Sequence, residues 1–353
     1  MKQRIEYIDA IKGFAILLMV IGHAIAWNYS DYSLICTYDY NQSNNTKIGG
    51  LIWQLIYSFH MPLFFMVSGF LTYKTFRWND FFTFLHKKIR RLFIPWIFTI
   101  WIVYFVRGVI GYWFLLCLFE ISIIGFILII LLEKINKKKS LIFDSTIICL
   151  IYILFRLLHA QDWSLYGISV GHFVNAFIPF FIGILLRKHN FLYTTCIERS
   201  YFYSLAMLIF AGAFTSRYFL NYGHFFNIIY QHSSLLLAIT GSLIVFHAFH
   251  KNKSIKVQSI LSYLGKKTLP IYILHIMFVP QIYVIGEIIL KQNAVTSIVL
   301  QITYSTFISI IAIILSITLY KIIIISLFLE NYYLENKKRK VKFFLTLIFL
   351  FNI

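Results

Sequence analysis

The chain has 353 residues, 60% of them hydrophobic and only 13% charged, yet 32 Lys plus Arg against 13 Asp plus Glu give a formal net charge of +19. The apolar content excludes a disordered chain, and so few charges exclude an ordinary soluble domain, where about 25% of residues are charged. A charge of +19 would suit a nucleic-acid binder, but the basic residues stand in short clusters between long apolar runs. That is the pattern of a polytopic membrane protein, and nucleic acid has no place in it.

A spanning helix needs about 20 apolar residues. By that measure the chain predicts ten segments, over residues 8–29, 51–73, 92–107, 112–132, 141–157, 171–186, 201–220, 229–249, 269–286 and 295–325. The third is short and passes to the fourth through a turn at residues 108–111. With the N-terminus cytoplasmic, all but five of the 32 basic residues fall in inner segments, the exceptions being Lys47, Arg107, Arg156, Arg217 and Lys291. Positive charge is retained on the inside of short loops in this way. The expected fold is an all-α bundle of about ten transmembrane helices with both termini cytoplasmic. It comprises a membrane domain over residues 1–330 and a basic, apolar cytoplasmic tail over 331–353. The stretch 343–351 is too short to span and is expected at the inner interface. Lys2, Arg4 and Ala24-Ile25-Ala26 imitate a cleavable signal, but Asp9, Lys12 and His23 inside it, and the charge balance, argue that the first span is kept. Cys36, Cys117, Cys149 and Cys196 are widely spaced, which favours neither a disulfide framework nor a zinc site.

Ionisable groups inside apolar spans are the first candidates for chemistry. Lys12 and His23 are eleven residues apart, so at about 100° and 1.5 Å per residue they share a face with a rise of about 16 Å. Asp9, one turn before Lys12, falls near the same face. These residues either line one channel, or Lys12 snorkels to lipid phosphate while His23 packs against a carbonyl. In the second span, Pro62 removes a backbone donor and frees the carbonyl near residue 58, and Ser68 and Gly69 permit close helix approach. His60 reads there as a core histidine. Glu120 lies mid-span without a cation beside it in sequence. Counted from the outer helix ends it lies at a depth similar to His23 and His60, and it is expected either to orient His23 as a carboxylate–imidazole pair or to be protonated on a backbone carbonyl. His275 follows Tyr272 in the ninth span, nearer the inner face, with a structural bond or a site role. His159, His172, His224, His232 and His247 have no ligand spacing, so no metal site is expected. Asp31, Tyr32, Asp39, Asp162, Trp163, Arg217 and His224 are outer-loop groups that could hold a sugar or simply be interfacial.

Several motifs occur in order: Arg4, Asp9-x-x-Lys12-Gly13 and Gly22-His23; Phe59-His60-Met61-Pro62-Leu63-Phe64-Phe65 with Ser68-Gly69-Phe70; Arg90-Arg91-Leu92-Phe93-Ile94-Pro95-Trp96; Trp113-Phe114-Leu115; Pro179-Phe180-Phe181-x-Gly183; and Leu264-Gly265 with Ile271-Tyr272-Ile273-Leu274-His275. From about residue 4 to 320 this series resembles the integral-membrane acyltransferase type 3 family, and its His-Met-Pro-Leu-Phe-Phe form is most similar to the branch related to fucose 4-O-acetylases. The resemblance implies a multi-pass enzyme of the bacterial cytoplasmic membrane. It would move an acyl group, usually acetyl, from cytoplasmic acyl-CoA to a hydroxyl of an envelope glycan or its lipid-linked precursor. Acetyl-CoA would be the co-substrate, and no metal is implied. His23 matches the family's catalytic histidine and would act as base or acyl carrier. Lys12 stands where the family commonly has arginine, which keeps the charge but loses the bidentate fork. Arg90 and Arg91 match its basic loop. Lys12, Arg90 and Arg91, with Asp9, are assigned to the anionic donor; His60, Ser68, Glu120 and His275 are further site candidates. The competing function is a transporter or flippase of lipid-linked sugars, which would use the same buried charges as a path.

Overall fold

A computed structural model describes residues 6–29, 44–73, 81–108, 113–136, 140–160, 170–219, 227–251 and 255–335. Among these there is no strand. The helices in chain order are α1 (Glu6–Ala26), α2 (Asn44–Thr72), α3 (Phe81–Lys88), α4 (Ile94–Arg107), α5 (Phe114–Ile135), α6 (Leu141–Ala160), α7 (Val170–Lys188), α8 (Asn190–Tyr193), α9 (Ser200–Phe219), α10 (Asn227–Lys251), α11 (Ile255–Lys266), α12 (Thr268–Leu274), α13 (Tyr283–Leu290) and α14 (Ala294–Glu335). Helix occupies all ten regions predicted from hydropathy. Six helical stretches among the described residues are long and apolar enough to cross a membrane: Glu6–Ala26, Gly50–Thr72, Phe81–Val106, Phe114–Ile135, Ser233–Lys251 and Val295–Ser326. The basic and apolar tail beyond residue 335, and the loop candidates Asp31, Tyr32, Asp39, Asp162, Trp163 and His224, lie outside the described residues.

Two predicted segments differ in form. The third was expected to begin at residue 92, after a basic loop. Instead α3 joins α4 through a π-helical turn, Ile89–Phe93, so Lys87, Lys88, Arg90 and Arg91 stand within one helical rod. The ninth was expected as one helix over 269–286. It is broken: α12 ends in a 3-10 turn, His275–Met277, and helix resumes only at Tyr283. Pro280 lies in the gap, and proline has no N–H to continue the ladder. Helix α11, predicted as loop, packs along α1.

Glycines set the closest helix approaches. A Cβ at Gly69 would collide with the Phe180 carbonyl, and one at Gly183 with the Met66 carbonyl, so α2 and α7 meet backbone to backbone. Gly13 and Gly265 do the same for α1 and α11, against the carbonyls of Leu261 and Asp9. Lipid offers helices no hydrophobic drive to associate, so close packing over small residues has to hold them. Phe65, Phe126, Phe177, Phe180 and Phe181 fill the interior between them.

A polar staple ties three helix ends that the sequence reading did not connect. Lys188 Nζ lies 2.7 Å from Asp144 Oδ2 and 3.3 Å from Glu133 Oε1, while His189 Nε2 lies 2.8 Å from the same Asp144 oxygen. Asn136 Nδ2 donates to Asp144 Oδ1 at 2.8 Å, and the Tyr73 hydroxyl donates to Glu133 at 3.2 Å. Asp144 is fully buried and the Lys188 side chain is 3% exposed. Asp144→Ala leaves that lysine buried with only the longer Glu133 contact, and we expect a loss of about 3–5 kcal/mol. A fall in the thermal midpoint in detergent checks it, and Asp144→Asn, which can still accept from Asn136, should fall less.

Candidate active site

Two candidate histidines, His23 and His275, converge at one place. Helix α11 runs beside α1 with Gly13 and Gly265 nested against each other, and each of these glycines precedes a histidine by ten residues. Ten residues of α1 rise about 15 Å to His23, while the chain after Gly265 passes through the Lys267 turn into α12 and brings His275 to the same level. There His23 Nδ1 stands 2.8 Å from His275 Nε2. His275 Nδ1 in turn stands 3.0 Å from the Ile271 carbonyl.

These two bonds decide the protons. A carbonyl oxygen only accepts, so His275 carries its proton on Nδ1 and, as a neutral ring, accepts at Nε2. His23 must then donate from Nδ1. Its Nε2 is therefore the nitrogen that holds a lone pair. His275 is wholly buried and its ring is fixed at both nitrogens. His23 is half-buried and stacked on Trp27, with centroids 5.0 Å apart and planes 14° from parallel. The Tyr57 ring lies 6.5 Å from His23, and a Cβ at Gly22 would come within 2.7 Å of it, which is why glycine precedes this histidine.

The other candidates fall elsewhere. Glu120 does not pair with His23: the imidazole's Nδ1 is engaged by His275, and Glu120 Oε2 is buried with no hydrogen-bond partner. Similar depth was the basis for that pairing, but depth along separate helices does not fix azimuth. His60 donates from Nδ1 to the Ile56 carbonyl at 2.8 Å inside the core, with Tyr57 edge-on to its ring at 4.7 Å. Ser68 lends its carbonyl to the Thr72 hydroxyl on the turn that packs against α7. Asp9 and Lys12 form an ion pair at 2.6 Å, so the carboxylate holds the lysine and would itself repel a phosphate. Of the outlying histidines, His172 stacks on Trp113 at 3.9 Å and His247 donates to the Ile197 carbonyl at 2.7 Å. Among the described residues no group of three or more His, Cys, Asp or Glu could hold a metal ion.

Arg90 and Arg91 occupy an unexpected depth. Their π-turn packs on the middle of α5: Phe93 meets Phe119 at 5.3 Å, Lys88 Nζ donates to Ser122 Oγ at 3.0 Å, and Phe84 stacks on Phe126 at 4.6 Å. The two arginines thus lie alongside residues 120–121 of a helix that runs from 114 to 135, not at its end. Arg91 is exposed there. A bare guanidinium facing hydrocarbon would be costly, so this position calls for water, a lipid headgroup or an anion beside it.

A family model described as an acyltransferase domain matches residues 5–321, nearly the whole chain. The chain belongs to the acyltransferase type 3 family. No curated protein and no solved structure matches it. As a member of this family it is a multi-pass membrane acyltransferase, and the matched region carries both histidines of the bonded pair and both arginines beside α5. The pairing itself was missed in the sequence, although one signal was present. Both histidines stand ten residues after a glycine, within otherwise apolar runs.

Proposed function

We propose that this acyltransferase moves an acetyl group from cytoplasmic acetyl-CoA to a hydroxyl of an envelope glycan or its lipid-linked precursor. It would do so as a protein of about ten spans in the bacterial cytoplasmic membrane with both termini inside. The observation that carries the reading is the His23–His275 bond, because it leaves the lone pair on His23 Nε2. In the reaction, that nitrogen takes the proton of the acceptor hydroxyl as the oxygen adds to the thioester carbonyl. The carbon–sulfur bond then breaks, and the departing thiolate recovers the proton from His23. The imidazolium formed between these steps is supported by His275 Nε2 on one side and the Trp27 face on the other. His23 thus acts as a base rather than as an acyl carrier, and His275 as its positioning residue.

The donor's phosphates suit Arg90 and Arg91, with Lys88 beside them, since guanidinium groups match phosphate oxygens in charge and geometry. The lopsided basic charge supports a cytoplasmic position for the C-terminal end of α5, from which the donor would enter the bundle to reach these arginines. Lys12, held by Asp9, serves the same anionic path less directly. The His-Met-Pro-Leu-Phe-Phe sequence around His60 supports placing the chain nearest the fucose 4-O-acetylase branch.

The test is incorporation of labelled acetyl from acetyl-CoA into a glycan fraction by purified protein in lipid vesicles. Transfer is the expected result; translocation of lipid-linked sugar with no transfer would favour the transporter reading. In the same assay, Arg90→Ala with Arg91→Ala should raise the donor KM roughly tenfold or more, since each lost charge-assisted bond is worth about 1.5–3 kcal/mol.

A further inference from the structure

Four buried polar atoms without a hydrogen-bond partner are Asn28 Oδ1, Trp53 Nε1, Gln301 Oε1 and Tyr304 OH. They come from α2, α14 and the turn that ends α1, three elements that pack on one another pairwise. Their register puts them in one layer. Gln301 Nε2 donates to the Tyr29 hydroxyl at 3.2 Å, which sets α14 against the residue after Asn28. Tyr304 lies one turn along the same helix. On α2, Tyr57 abuts Gly22, and Trp53, stacked on Tyr57 at 4.1 Å, lies one turn farther toward the end of α1. The layer is thus one to two turns beyond His23, away from the Lys12 end.

Such atoms are not left bare without cause. Each buried donor or acceptor without a partner costs about 1–3 kcal/mol, and no bulk water reaches the interior to relieve it. Asn28 and Gln301 are each only 2% exposed, and each already uses its amide nitrogen, Asn28 on the Ala24 carbonyl and Gln301 on Tyr29. Two carbonyl oxygens therefore remain as acceptors, one indole N–H as a donor, and one phenol as either. None of the four carries a charge. This is the complement of several hydroxyl groups on one ring, not of a carboxylate or phosphate, which would need a cation.

We infer that Asn28, Trp53, Gln301 and Tyr304, which share a depth on neighbouring elements, also turn toward one another to form the acceptor subsite, and that it takes an uncharged sugar ring. Hydroxyls of the ring donate to Asn28 and Gln301 and accept from Trp53 and Tyr304, leaving one further hydroxyl directed inward to His23 Nε2. The inference rests on the acyl-transfer reading only for the role of this sugar as acceptor; binding itself can be measured apart from transfer.

The experiment is thermal protection of the purified full-length protein in detergent by neutral methyl hexosides, compared with glucuronic acid and glucose 1-phosphate. Protection by at least one neutral hexoside and by neither charged sugar is expected. It should weaken roughly tenfold in midpoint concentration in Gln301→Leu and in Tyr304→Phe, since one net hydrogen bond is worth up to about 1.5 kcal/mol. Ile302→Ala and Phe307→Ala, on the exposed side of the same helix, should leave it unchanged. Tyr304→Phe removes only a hydroxyl, so it remains informative if the leucine variant does not fold. No protection by any neutral hexoside, equal protection by the charged sugars, or equal protection of the variants would overturn the subsite. Sugar protection that depends on these residues, without any acetyl transfer, would instead sink the acyltransferase mechanism and leave the subsite standing.

Discussion

His23→Ala lowers acetyl transfer by on the order of 10²–10⁴-fold, the range for loss of a positioned general base. The more telling variants are at His275, which touches no reacting atom. In His275→Leu the Nδ1 proton of His23 has no acceptor, the ring is free to turn, and either tautomer can form. We expect kcat to fall about 10²-fold, the cost of small misplacement, with the donor and acceptor KM unchanged. His275→Gln can put an amide oxygen near the former Nε2 position and accept from His23, so it should recover much of the loss. A purely structural histidine would show neither the confinement to kcat nor the rescue by glutamine. Measured kcat and KM for the three variants, with labelled acetyl-CoA, decide it. If His275→Leu and His275→Gln lose activity equally, the tautomer argument fails.

The second large effect is expected some 15 Å away, at the glycine crossing. Any side chain at Gly265 would drive its Cβ into the Asp9 carbonyl, with the Gly13 nitrogen only 3.1 Å off. Both neighbours are backbone and cannot swing aside, so α1 and α11 must separate or shift. Overpacking in such places costs about 1–3 kcal/mol per added group, and more when backbone is the obstacle. Gly265→Leu should therefore leave little folded protein in detergent. Gly265→Ala should yield a destabilised protein whose transfer rate is lower than its folded fraction explains, because the histidine register ten residues on is displaced. Gly212→Ala supplies the contrast. Nothing lies within 4 Å of its Cβ, and alanine is the better helix former by about 0.5–1 kcal/mol, so it should be neutral or slightly stabilising. Size-exclusion profiles and thermal midpoints of the three variants test this directly. Equal stability of Gly265→Leu and Gly212→Ala would show that the crossing does not matter.

Both expectations concern groups whose importance is only partly visible in the linear chain. Ser68 and Gly69 announce close packing by type alone, and the approach of α7 to Gly69 agrees. The basic run at residues 87–91 reads as a loop because four cations in five positions look like a cytoplasmic turn. The chain instead keeps it helical and lays it against α5, where Ser122 takes the Lys88 ammonium. The Asp144, Lys188 and His189 staple was equally hidden. Its members lie on α6 and at the end of α7, 44 and 45 residues apart in sequence, and no spacing rule joins residues across separate helices.

The sequence by itself determined that the chain is helical and membrane-embedded, and its ordered motifs pointed to the acyltransferase family. Apolar length and motif order are one-dimensional quantities. It also singled out His23, since an ionisable group in an apolar span is rare without a function. What only the tertiary structure decided was the partner. Counting residues put His23, His60 and Glu120 at a similar depth and His275 nearer the inner face, and depth is all that counting along a helix supplies. Which of these groups faces His23 depends on the rotation of each helix about its axis and on which helices are neighbours. The Gly13–Gly265 crossing makes that choice. It brings His275 rather than a carboxylate to the imidazole, and through the Ile271 carbonyl it determines which nitrogen of His23 can take a proton.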